Sequence, residues 1–136
     1  GDRVSLLMDE PAFPSDLYAL QSQLRNRGLD PAASLILGGE DFEGILRDRG
    51  REIAVVVWNA VNFLSGRYFD IPRLVEAAHR QGCIVGLDLA HAVGNVPLQL
   101  HEWGVDFAVW CGYKYLNGGP GAVGGCFVHE RHGSNL

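Results

Sequence analysis

The sequence lacks the cysteines of a disulfide-stapled fold. It has three, Cys83, Cys111 and Cys126, in 136 residues. An odd number inside apolar, strand-like runs excludes a disulfide framework, and no CxxC pair offers a thiol metal site. They read as small buried hydrophobes in a reducing compartment. No apolar run approaches the ~18 residues of a membrane span. The first residues, GDRVSLLMDEP, lack the charged and apolar regions of a signal peptide. Basic residues are scattered, and the net charge is -5, so no nucleic-acid partner is expected. There is no repeat, low-complexity tract or linker. The expectation is a soluble, cytoplasmic protein with no membrane or nucleic-acid partner. Gly118, Gly119, Gly121, Gly124 and Gly125 surround Pro120 without the GK[ST] ending of a phosphate loop, and read as tight turns. His79, His101, His129 and His132 have no metal-like spacing and read as surface residues, so no metal site is expected.

A 47% hydrophobic fraction suits one globular domain or a piece of a larger one. Short apolar runs alternate with amphipathic segments. Val4–Met8, Ile53–Trp58, Cys83–Leu87, Asp106–Trp110 and Ala122–His129 read as strands. Ile53–Trp58 is β-branched and apolar on both faces, as a buried parallel strand should be. Asp16–Arg27 reads as a helix, with Ser15 or Asp16 as its cap and Gly28 as its stop. Asp41–Asp48 and Val96–Trp103 read as short helices. Ile71–Gln81 places Leu74, Val75 and Ala78 on one side, with Pro72 in the first turn. This alternation predicts an α/β fold, a three-layer sandwich around a mostly parallel sheet with right-handed crossovers. The chain starts almost at a strand and ends in a polar scrap, which reads as the middle of something longer.

Ligands of such sheets gather at the carboxyl ends of the strands. Asp16, Asn59, Asp88 and Lys114 all follow strand-like runs. With strands about 4.8 Å apart, three or four such side chains can surround one flat ring. Asp88 ends an apolar run, and Lys114 lies just past the next, inside Tyr113-Lys114-Tyr115. An aldehyde cofactor with a basic ring nitrogen needs that pair. The amine binds it covalently, and the carboxylate keeps the ring protonated as an electron sink. The plain alternatives are a solvated lysine and an acid capping the next turn. His91, three residues after Asp88, can meet the ring or simply satisfy local backbone. Phe13-Pro14-Ser15-Asp16 is either a plain helix entry or a wall with Phe13 on the ring face and Asp16 near the nitrogen.

AFPSD at the first of these positions, DLAHAVGN from Asp88 and HEWGVDFAVWCGYKYLN from His101 resemble the kynureninases. These are fold-type-I pyridoxal-phosphate hydrolases of the aminotransferase-like superfamily. The resemblance covers nearly the whole chain and is densest from Gly82 to His132. It implies that Lys114 binds pyridoxal 5'-phosphate covalently and later shuttles protons. It implies that Asp88, assisted by Asp16, holds the ring nitrogen, and that Phe13 stacks on the ring. Pro14 and Ser15 would line the cofactor, with His91 beside it. Tyr113 would contact the phosphate and relay a proton. Asn59 stands where the family often has serine or threonine, and still hydrogen-bonds. The implied reaction is hydrolysis of L-kynurenine or its 3-hydroxy form to an anthranilate and L-alanine, in tryptophan catabolism and NAD biosynthesis.

The same resemblance implies parts that this segment does not carry. These are an upstream phosphate-binding loop and a small C-terminal domain. Members are homodimers whose sites draw on both subunits, so residues 1–136 are expected to be part of the large cofactor-binding domain, without turnover alone. Two other readings stand beside this one. A cysteine desulfurase-like enzyme shares the fold type, but that group usually sets a histidine before the cofactor lysine, where this chain has Tyr113. A non-catalytic remnant is the other.

Overall fold

The computed structural model describes residues 3–135. Six strands form one sheet: β1 (Ser5–Asp9), β2 (Leu35–Gly38), β3 (Ile53–Asn59), β4 (Ile84–Asp88), β5 (Phe107–Trp110) and β6 (Gly125–Val128). Their order is β2-β1-β3-β4-β5-β6. All neighbours are parallel except β5 and β6, which pair antiparallel. Four helices connect them: α1 (Pro14–Asn26), α2 (Pro31–Ser34), α3 (Phe42–Arg49) and α4 (Ile71–Arg80). Among the described residues, no helix is long and apolar enough to cross a membrane.

The strand periodicity of two sorts the sheet into two faces. Leu7, Val56, Trp58, Val85, Leu87 and Ala108 share one face and pack with Leu46 of α3 and Leu74, Val75 and Ala78 of α4. Trp58 is fully buried there, edge-on to Phe42 and Phe69 with ring centroids 5.8 and 5.6 Å away. Leu6, Val55, Val57 and Phe107 lie on the other face, across a cleft from Leu20 and Leu24 of α1. Helices thus flank both faces, as the alternating pattern predicts.

α4 follows its local chemistry closely. Asp70 caps it by accepting from Arg73 N, Pro72 sits in the first turn, and Gly82 leaves it at φ 77°. Other elements differ from the sequence reading. α1 begins at Pro14, its N-cap is Phe13, and no side chain caps it. Neither Ser15 nor Asp16 is therefore the cap: Pro14 fixes the helical φ first, and Asp16 falls inside the first turn. The expected helix at Val96–Trp103 is a series of turns, broken around Pro97. The last strand covers only Gly125–Val128 of the expected run. β2 was not expected. It is a four-residue edge strand lying along β1, too short to show a period.

The histidines also depart from a simple surface role. Asp106 is buried, and its carboxylate accepts from Val85 N at 2.8 Å while meeting His79 Nε2 at 2.8 Å and His132 Nε2 at 2.7 Å. His101 is exposed, stacks on His129 and meets Glu130 Oε1 at 3.1 Å. The cysteines divide as well. Cys83 is buried, Cys111 is half-buried, and Cys126 is exposed. Cys126 lies beside its register partner Val109, itself half exposed, on an open part of the sheet face.

Candidate active site

Because β1, β3, β4 and β5 are parallel, their last residues, Asp9, Asn59, Asp88 and Trp110, share one edge. Asn59 is the direct register partner of Asp88, and Asp88 of Val109. A cleft of about 320 Å³ opens at this edge. Phe13, Ser15, Asp16, Asn59, Asp88, His91, Tyr113 and Lys114 all line it. Pro14 does not: it stands exposed at the start of α1 and turns the chain between Phe13 and Ser15. Phe63, Trp110 and Cys111 also line the cleft and were not singled out from the sequence. Phe63 meets Phe13 edge-on at 5.1 Å, a contact 50 residues apart with no local signature.

The lysine is carried on a tight turn after β5. Asn117 N bonds Lys114 O, Gly118 N bonds Gly112 O, and Asn117 takes a left-handed φ of 58°. Gly112 is buried, and a methyl group there would collide with the Val123 carbonyl oxygen. The glycine therefore lets the turn fold back on the segment before β6. Lys114 Nζ lies 3.0 Å from His91 Nε2, 5.5 Å from the Phe13 ring centroid and 5.8 Å from that of Tyr113. Lys114 is also the only lysine in the sequence, a signal that spacing alone does not convey.

Burial, with the Lys114 charge behind it, holds the His91 pKa below its usual value, against the opposing pull of Asp88. A neutral imidazole accepts at Nε2 when its proton sits on Nδ1, so His91 can take a hydrogen bond from the Lys114 ammonium. The Tyr113 side chain is exposed, and its hydroxyl sits against Cys111, which raises its pKa.

Two carboxyl groups face each other across the cleft floor. Asp88 Oδ1 accepts from Ala90 N at 2.7 Å. Asp16 lies within hydrogen-bonding reach of Asp88, and burial, then Asp88, then Asp9 raise its pKa to about 7, with Lys114 pulling the other way. Asp16 Oδ2 is buried without a hydrogen-bond donor. Two carboxylates supply only acceptors, so the pair calls for a donor between them: a shared proton, a water or an N–H group. A protonated ring nitrogen has that donor. The donor set therefore fits pyridoxal 5'-phosphate, with a carboxylate pair for the nitrogen, an aromatic wall for the ring and a single amine for the aldehyde.

The model of the family "Aminotransferase class-V" matches residues 36–135. A kynureninase of Xanthomonas oryzae pv. oryzae is 51% identical over 98% of this chain and 34% of its own length. Kynureninases of Koribacter versatilis and Yarrowia lipolytica are 48% and 49% identical over 96% of the chain, and 33% and 32% of their own lengths. The chain thus spans about a third of these curated relatives. The crystal structure of the cysteine desulfurase CsdA from Escherichia coli superposes with TM-score 0.80 at 15% identity, covering 93% of this chain and 32% of that one. A mutant of C-DES with glycine covalently linked to its PLP cofactor gives TM-score 0.77 at 17% identity, over 97% and 36%. These likenesses, at such low identity, describe the fold. With its parallel sheet, its carboxyl-edge cleft and a family match over most of its length, the chain belongs to the aminotransferase class-V family.

Proposed function

We propose that this chain is the central part of a kynureninase and that its cleft holds pyridoxal 5'-phosphate. The reaction is hydrolysis of the Cβ–Cγ bond of L-kynurenine or 3-hydroxy-L-kynurenine, with water consumed and an anthranilate and L-alanine released. The observation that carries the reading is the unpartnered Asp16 oxygen beside Asp88, in the same cleft as the sequence's only lysine. Identities of 48–51% to kynureninases over nearly the whole chain favour this chemistry over that of other family members.

Lys114 is the amine for the aldehyde. Asp88 and Asp16 together hold the ring nitrogen, and Phe13 packs on the ring face. His91, neutral and 3.0 Å from Lys114 Nζ, keeps that amine oriented and accepts its hydrogen bond. When bound, the cofactor supplies an electron sink for charge developing at the amino acid's α-carbon. Lys114 removes and returns a proton at that carbon. Tyr113 contacts the phosphate and relays a proton near the departing aromatic acyl group. A preceding phosphate-binding loop and a following small domain complete the pocket. The whole enzyme is a cytoplasmic homodimer acting in tryptophan catabolism and NAD biosynthesis.

The test is a graft. This segment replaces the matching third of the Xanthomonas oryzae kynureninase, and fluorescence follows anthranilate release from kynurenine. Retained release, lost with Lys114→Ala, supports the reading. Sulfide release from cysteine instead would transfer the chain to the desulfurases. A folded graft that binds the cofactor but turns over neither substrate would make it a remnant.

A further inference from the structure

Asp9 is fully buried at the end of β1, yet it does not line the cleft. Its Oδ1 accepts from Asn59 N at 3.1 Å and Asn59 Nδ2 at 2.9 Å. Its Oδ2 accepts from Asn62 Nδ2 at 3.3 Å. No cation is among these partners. Burying a carboxylate among neutral donors costs more than burying an amide, so charge at this position needs a use beyond filling space.

An ionised carboxylate can only accept. It therefore forces Asn59 to turn Nδ2 inward, and the amide's carbonyl end away from Asp9. An asparagine at position 9 could pair with either end of the Asn59 amide and would leave that choice open. Asn59 lines the cleft beside Asp88. Through Asn62 the same carboxylate reaches the next loop. Asn62 Nδ2 also bonds Pro11 O at 3.1 Å, while Asn62 Oδ1 accepts from Leu64 N at 3.1 Å and Ser65 N at 3.0 Å. These bonds bracket Phe63, which meets Phe13 at 5.1 Å.

We propose that Asp9 is a positioning residue of this cleft: its buried carboxylate sets which end of the Asn59 amide faces the bound ring and, through Asn62, holds Phe63 against Phe13. The inference rests on the proposed function only for the identity of the ring. Burial raises the Asp9 pKa, so the orienting charge can be titrated away. The titrating group that shares its electrostatic surroundings is Asp16 on α1, whose own carboxyl feels the Asp9 charge; the groups bonded to Asp9 itself, Asn59 and Asn62, do not titrate.

The first readout needs no cofactor. In the wild-type chain, NMR signals of the Asn59 side-chain amide should move with the same midpoint as the Asp9 carboxyl carbon. In Asp9→Asn they should lose their dependence on that step, and the Phe13–Phe63 ring contact should weaken. Asn59 signals that ignore the Asp9 titration would overturn the proposal, even if Asp9→Asn does not fold. The second readout is affinity for pyridoxal 5'-phosphate, for which Asp9→Asn should cost on the order of tenfold, as loss of an outer partner does elsewhere. In an Asn59→Ala background that penalty should shrink to about threefold or less, because the two residues act as a unit. An equal penalty in both backgrounds would reduce Asp9 to a structural residue. Absence of cofactor binding in the wild type would count against the proposed function, while the NMR titration would still decide the role of Asp9.

Discussion

Replacing Asp16 by asparagine should remove a pH-dependent weakness from the fold. Asp16 has an ordinary pKa of 3.8, raised to about 7 by burial, Asp88 and Asp9. A raised folded-state pKa means the protonated form is favoured in the native chain. Its contribution is fully present below the unfolded value and is lost as pH rises through the folded value. The window is therefore from about pH 4 to about pH 7. A displacement of roughly three units corresponds to at most about 4 kcal/mol. Asp16 is partly open to the cleft, and solvent screening reduces this to on the order of 1–2 kcal/mol. Urea unfolding at pH 4.5 and 7.5 measures it. The wild type should lose that much stability across the interval relative to Asp16→Asn, because the other groups titrate in both proteins and largely cancel. Asp88→Asn should remove part of the effect by taking away the facing charge. Identical pH profiles for the wild type and Asp16→Asn would refute the facing-carboxyl arrangement.

Three further outcomes follow from other contacts. Gly112→Ala should slow capture of pyridoxal 5'-phosphate by Lys114, because the added methyl meets the Val123 carbonyl and shifts the turn; its thermodynamic cost should be about 1–3 kcal/mol, read from urea unfolding. Asp106 has its pKa held below 3.8: burial alone would raise it, but hydrogen bonds from His79, Val85 N and His132 outweigh that. Its contribution is present above the unfolded value and lost as pH falls through the folded one, so His132→Ala should move the acid-unfolding midpoint upward, measured by circular dichroism. Asp70→Ala removes the cap of α4 and should cost about 1 kcal/mol with cofactor capture unchanged.

The elements readable from the sequence are those whose signal is local. β3, β4 and β5 are apolar runs, and α4 has its cap, its proline and its apolar spacing within ten residues. Asp88 and Lys114 could be placed at one edge from the sequence because a parallel sheet brings strand ends together, and both line the cleft. Asp16 was legible as a member of the site but not as the unpartnered half of a carboxyl pair, since its environment comes from Asp88, 72 positions away. Asp9, Asn62 and Phe63 carried no local mark, because their bonds join β1 to the loop after β3. The clamp on Asp106 is of the same kind: His79 ends α4 and His132 follows β6. β2 escaped because four residues at a sheet edge show no period, and its place is set by pairing with β1.

The most direct measurement is borohydride reduction of the chain with excess pyridoxal 5'-phosphate, followed by peptide mapping. Lys114 competes only with the chain's α-amine for the aldehyde, so the assignment is unambiguous. A stable pyridoxyl group on the peptide containing Tyr113-Lys114-Tyr115, weakened in Asp88→Asn, is the expected result. Modification confined to the α-amine, or a Lys114 label indifferent to Asp88, would contradict the shared site.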